Sequence, residues 1–258
     1  MPSSASTADN FASSVRGVFD SAANNSRLVL VGLTVLLASG VGIGYYLNER
    51  EQRSDEANAA FYLARQAVEK ELTAIAATEA PKPVAPPVKK GEKAPPPPAP
   101  TADQITFKKL DVETRLAAGV KKLEGVSKDF PGTRAAFEAR LALGDLFYNH
   151  GTPAKAVGWY KQAFDGAPGA FERSLALYSL GFAQENSGQA ADAGTTYEKA
   201  IALGESALKG DLLLALARTH EARKDMLKAK STYDQILSQL PNTEYARSAE
   251  TFKAQLGN

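Results

Sequence analysis

The stretch LALGDLFYNHGTPAKAVGWYKQAF, residues 141–164, decides the fold, because its order of small and large residues returns twice further along the chain. Its Leu143-Gly144 pair recurs as Leu180-Gly181 and then as Leu216-Ala217, at spacings of 37 and 36 residues. An internal period of this length is typical of proteins built from stacked helical hairpins. The accompanying residues are Ala156 and Tyr160, Ala193 and Tyr197, and Ala229 and Tyr233. The pattern therefore predicts an all-α solenoid whose most distinctive residues are core residues.

The spacing also predicts how each hairpin packs. Small residues on both helices of a hairpin, such as Gly144 and Ala156, would let the two backbones approach, and the tyrosines would fill the gap toward the next repeat. Thr133 and Thr243 each follow a proline turn, so we expect both to be helix N-caps.

This arrangement of residues resembles the tetratricopeptide repeat, over roughly residues 107–258. The resemblance implies about three full repeats and a capping helix over 244–256, within a solenoid domain at 105–258. It also implies one interrupted repeat, in which a helix at 49–78 pairs with residues 107–129 across an insertion.

The segments before the solenoid differ sharply in composition. Residues 48–79 form a predicted amphipathic helix, because Phe61, Val68 and Ile75 recur every seven residues, with Ala64 and Leu72 between them in one apolar stripe. Residues 80–104 form a predicted extended linker, since proline removes a backbone donor and fixes φ. Nine of the chain's 14 prolines lie in this linker.

An uncharged run, LVLVGLTVLLASGVGIGYYL at residues 28–47, lies before the amphipathic helix. It follows a tail at residues 1–27. As a helix it would be ~30 Å long, which matches the hydrocarbon core of a bilayer. We interpret it as a retained transmembrane helix; a signal peptide cleaved near Ala38-Ser39-Gly40 and a buried soluble helix are the alternatives. Gly40 and Gly44 form a small-residue pair that would suit helix pairing and a homodimer. Nearly equal numbers of Arg on both sides leave the orientation open.

Composition and motifs argue against several functions. The 258 residues carry a net charge of +1 and no cysteine, so neither a nucleic-acid binder nor thiol chemistry is expected. No catalytic or phosphate-binding motif occurs, and His150 and His220, near the ends of first helices, are expected to be solvated. We therefore expect no enzyme activity, no metal and no cofactor.

In the tetratricopeptide family, first helices line a concave groove that binds protein partners. Exposed aromatic residues such as Tyr178 and Phe182 would be binding anchors there, unless the N-terminal helix or the repeat stacking covers them. The residues that the resemblance places in the groove are Leu141, Asp145, Tyr148, Asn149, Tyr178, Phe182, Glu185, Asn186, Leu214, Arg218 and Glu221.

The layout of the whole chain, one span followed by tetratricopeptide repeats, resembles the YfgM-like ancillary subunits of the bacterial Sec translocon. That resemblance implies a single-pass protein of the inner membrane with its repeats in the periplasm. Its partners would be translocon subunits, periplasmic chaperones or exported chains. The alternative is a structural adaptor of cell-envelope or secretion machinery without a chaperone role.

Overall fold

The computed structural model describes residues 26–79 and 110–256, and over these ranges the chain is all-helical, without a strand. The chain divides into two compact units, residues 1–53 and residues 54–258. The helices are α1 (Ser26–Glu79), α2 (Val112–Arg115), α3 (Ala117–Asp129), α4 (Arg134–Asn149), α5 (Pro153–Asp165), α6 (Ala170–Asn186), α7 (Ala190–Ala202), α8 (Lys209–Ala222), α9 (Met226–Gln239) and α10 (Glu244–Gln255), with a 3₁₀ turn at Ser206–Leu208 before α8.

Helix α1 covers the predicted span at 28–47, but the side chains of residues 26–38 and of Val41 lie outside the described part of the chain. Within the described part, no helix combines the length and the apolar character needed to cross a bilayer. The predicted linker at 80–104, and the predicted tail up to residue 25, also lie outside the described residues.

Three successive hairpins, α4–α5, α6–α7 and α8–α9, share one turn geometry. In each turn the left-handed backbone position is at the equivalent residue: Gly151 (φ 83°), Gly188 (φ 78°) and Lys224 (φ 60°). The N–H that follows donates to a carbonyl five residues earlier, as from Thr152 to Phe147 at 2.8 Å. This bond closes the end of the first helix in the manner of a glycine C-cap. The repeat predicted from the sequence is therefore also a repeat of backbone conformation.

The predicted N-caps are confirmed. The side chains of Thr133 and Thr243 accept hydrogen bonds from the N–H groups of Ala136 and Ala246, each at 3.2 Å. Each bond satisfies one of the amide groups that a helix N-terminus leaves without a partner.

The tyrosines of the second helices pack against the glycines of the first helices. A Cβ atom placed on Gly144 would lie 2.4 Å from the ring of Tyr160, and one on Gly181 would lie 2.3 Å from the ring of Tyr197. Each glycine therefore makes room for the tyrosine of its own repeat, and that the tyrosines also fill the gap toward the next repeat stays a prediction. A similar contact joins Gly210 of α8 to Tyr245 of the terminal helix α10.

The second half of α1 packs against α3. A Cβ on Gly119 would meet the backbone N and Cα of Val68 at 2.9 Å, so the two helix backbones approach closely here. The Glu71 carboxylate accepts the N–H groups of Ala118 and Gly119 at 3.0 and 2.9 Å. These residues lie on either side of the proline-rich insertion. The Glu71 side chain of α1 therefore caps the N-terminus of α3 and ties together the two helices that flank the insertion.

A continuous apolar core runs from α1 to α8 and includes Ala64, Leu123, Leu143, Tyr160 and Tyr197. A second cluster, formed by α8, α9 and α10, closes the C-terminal end of the stack.

The expectation of two solvated histidines is wrong: His150 and His220 are 8% and 4% exposed. His150 directly follows the last residue of α4, and His220 lies two residues before the end of α8.

Candidate partner-binding surface

The surface formed by the first helices α4, α6 and α8, together with α1 from Ser54 onward, is called here the first-helix face. Every groove residue predicted on α4, α6 and α8 retains exposed surface; Asp145, Asn149, Asn186 and Arg218 are exposed and the others are half-buried. Leu141 and Leu214 also pack against the apolar clusters, so they serve the core as well as this face.

The carboxylates of this face are bound to tyrosines of the second helices. Tyr160 donates its hydroxyl hydrogen to Asp145 at 2.7 Å, and Tyr197 donates to Glu185 at 2.9 Å. Burial, followed by the neighbouring carboxylate, raises the pKa of both tyrosines, so both stay protonated donors. The same pairing joins Tyr233 to Glu221 in the third hairpin. The tyrosine that fills the hairpin therefore also positions a carboxylate on the first-helix face.

Glu185 is the most fully engaged of these carboxylates. Besides Tyr197, it accepts hydrogen bonds from Arg218 at 2.7 Å and from the Thr219 hydroxyl at 2.8 Å. Its side chain is 14% exposed, whereas that of Arg218 is 50% exposed. Charge-assisted bonds of this kind link α6 to α8 and leave Glu185 little capacity for a partner.

Aromatic side chains surround this ion pair. The rings of Tyr178 and Phe182 meet edge to face at 4.8 Å between centroids, and the Arg218 guanidinium lies 4.9 Å from the centre of the Phe182 ring. Tyr197 lies below both rings, at 6.4 and 6.2 Å. Tyr178 and Phe182 are half-buried and pack against the apolar core while they make these contacts. They present a preorganised patch of aromatic and guanidinium groups, which are common anchors in protein interfaces.

A hydrogen bond from the Asn186 side chain to the Tyr148 hydroxyl, at 2.9 Å, links α4 to α6. Asn149 has an exposed side chain at the end of α4. These two asparagines lie on adjacent first helices and provide polar groups beside the aromatic patch.

A groove of about 900 Å³ opens between α1 and α4. Leu141, Asp145 and Asn149, all predicted groove residues, lie along its α4 side. The residues lining its α1 side are Phe61, Tyr62, Arg65, Gln66, Val68, Glu69 and Leu72. Sequence reasoning did not include them in the site, although Phe61, Val68 and Leu72 belong to the predicted apolar stripe. The helix at 49–78 therefore lines an open groove.

A smaller cavity of about 360 Å³ lies away from this face, among α7, α8 and α9, with His220, Glu198 and Lys228 in its lining. The Nδ1 atom of His220 is buried and has no hydrogen-bond partner among the residues that the structure describes. In the described part of the chain, no three acidic or histidine side chains are grouped as metal ligands.

The glycines proposed for helix pairing, Gly40 and Gly44, are exposed. A Cβ atom placed on either would meet no described atom within 4 Å. Homodimerisation through them stays a prediction.

No protein-family model matches the chain, and no curated protein does. Among solved structures, the chain is similar to a candidate kinesin light chain from Podospora anserina with nearly identical TPR-like repeats. The identity is 16%, the TM-score is 0.46, and the match covers 55% of this chain and 77% of that one.

Proposed function

We propose that this chain is a protein–protein interaction module that binds polypeptide partners along its first-helix face. One observation carries the proposal: the groove between α1 and α4 is open, and residues that the repeat pattern places on the binding surface line it. Its volume suits a few side chains of a bound peptide. The aromatic patch of Tyr178 and Phe182 extends the same face over α6.

The cellular role that we propose follows from the layout of the sequence. The apolar run at 28–47 would anchor the chain in the bacterial inner membrane, with the tail in the cytoplasm and the repeats in the periplasm. The module would then assist exported chains, or link the Sec translocon to periplasmic chaperones, as a binding protein without catalytic activity, metal or cofactor.

Photocrosslinking in intact cells tests this proposal. A photoreactive residue at Asn149 reports on the groove, and one at Lys161, exposed on the second helix α5, is the control. We expect translocon subunits, periplasmic chaperones or exported chains to be captured from Asn149 and not from Lys161.

Capture of one unrelated envelope protein would replace the secretion role with that of a structural adaptor. Cytoplasmic partners would reverse the proposed orientation. Equal capture from both positions would refute binding by the first-helix face.

A further inference from the structure

The groove between α1 and α4 has an acidic lining. Three carboxylates, Glu69, Glu138 and Asp145, face one guanidinium, that of Arg65. Arg134 pairs with Glu138 at 2.9 Å, so part of this charge is already neutralised from within α4.

Asp145 has no cationic partner among the described residues. Its Oδ1 atom accepts the Tyr160 hydroxyl, and neither a salt bridge nor an electrostatic contribution from Arg65 is found at its carboxylate. Desolvation raises the pKa of the Asp145 carboxyl, in spite of the hydrogen bond from Tyr160. A carboxylate in this state gains from an added cation more than a fully solvated one does.

The tyrosine-bound carboxylate of the next hairpin, Glu185, has a partner that Asp145 lacks, although it lies one helical turn further along its own first helix. Glu185 accepts the hydroxyl of its tyrosine, as Asp145 does, and in addition binds Arg218 from the following first helix. Among the described residues, no arginine is paired with Asp145 in this way. The apolar surface needed for the stem of a long cationic side chain is present in the groove, on Phe61, Leu72 and Leu141.

We propose that the groove between α1 and α4 binds a segment of a partner polypeptide in which a lysine or arginine stands between apolar residues. The cationic head binds Asp145, and the apolar neighbours pack against Phe61, Leu72 and Leu141. This inference rests on the proposed function and names the chemistry of the partner.

Binding of short fluorescent peptides to the full-length chain, measured by anisotropy, tests the inference. Three peptides share one leucine- and alanine-rich sequence and differ only at the central residue, which is lysine, glutamine or glutamate. We expect the lysine peptide to bind about five- to tenfold more tightly than the glutamine peptide, with the glutamate peptide weakest, and the difference to shrink in high salt.

Two variants of opposite effect sharpen the test. Asp145→Asn keeps an acceptor for the Tyr160 hydroxyl and should abolish the preference for lysine. Arg65→Gln removes the guanidinium that competes in the same lining and should increase the preference. Glu124→Gln, at an exposed position of α3 outside the groove, removes one negative charge and should leave the preference unchanged.

The inference is overturned if Asp145→Asn keeps the preference, or if the glutamate peptide binds best. Equal binding of all three peptides, weakened by Leu141→Asn, would overturn the inference and leave the proposed function standing. Absence of binding by every peptide, together with no capture from Asn149, would refute both.

Discussion

Replacing Gly181 with alanine should destabilise the chain, although alanine is the better helix former. A Cβ atom at this position would lie 2.3 Å from Cε1 and 2.5 Å from Cζ of Tyr197. The ring has no room to retreat, because Tyr197 is fully buried and its hydroxyl is bonded to Glu185. Overpacking a core costs about 1–3 kcal/mol, and contacts this short belong to the upper part of that range. The higher helix propensity of alanine offsets up to about 1 kcal/mol of this cost, so we expect a net loss of about 2 kcal/mol in the free energy of unfolding.

Gly158 offers the matched control, because it lies inside helix α5 and a Cβ atom there would meet nothing within 4 Å. Gly158→Ala should raise the free energy of unfolding by up to about 1 kcal/mol. Urea unfolding followed by far-UV circular dichroism measures both variants, and the two midpoints should move in opposite directions. In a Tyr197→Leu background the penalty at Gly181 should vanish. A higher midpoint for Gly181→Ala in the otherwise unchanged chain would refute the packing of Tyr197 over Gly181.

Three further predictions concern single side chains. Glu71→Ala should cost about 1–2 kcal/mol and speed amide hydrogen exchange at Gly119, because α3 loses its cap; unchanged exchange would contradict this role. Glu185→Ala should lower the free energy of unfolding by about 1–3 kcal/mol, and Arg218→Ala by less than about 1 kcal/mol, since only Glu185 leaves buried donors without an acceptor; equal losses in thermal melts would count against it. Burial lowers the pKa of His220 from its ordinary 6.5, so the unfolded chain takes up the proton first as pH falls. Stability should therefore fall as the pH drops through about 6.5 and below, and His220→Gln should remove this fall in urea midpoints; an unchanged fall would contradict the role of His220.

The regular part of the fold could be predicted because packing repeats with the chain. The Leu143-Gly144 series gives the period, and Thr133 gives a helix start, since both depend on local stereochemistry. Which partner a tyrosine meets does not follow from the period. The ring of Tyr160 reaches Gly144 in its own hairpin, and this contact depends on how α4 and α5 cross.

Several site residues could be placed on a face, but their chemistry could not be predicted. Glu185 and Glu221 share a position on the first helices, whereas Asp145 lies one helical turn earlier, at the position of Phe182 and Arg218. The environments of Glu185 and Asp145 differ because α6 meets an arginine from α8, whereas α4 meets the second half of α1 across the proline-rich insertion. The α1 side of the groove was missed for the same reason. The stripe of Phe61, Val68 and Leu72 indicates burial, and the sequence does not show that the packing of α1 beside α4 leaves an open groove along it.

The contrast between Glu185 and Asp145 also indicates where along the first-helix face the proposed partner would be selected. At α6 and α8 the carboxylate is saturated by Tyr197, Thr219 and Arg218, so this half can offer aromatic surface but little unsatisfied charge. At α1 and α4 the same kind of carboxylate holds only its tyrosine and lies beside an open groove. Interfaces take much of their affinity from aromatic and apolar burial and much of their specificity from charge complementarity. In the proposed binding, the aromatic half would provide general adhesion, and the half that contains α1 would distinguish one segment from another.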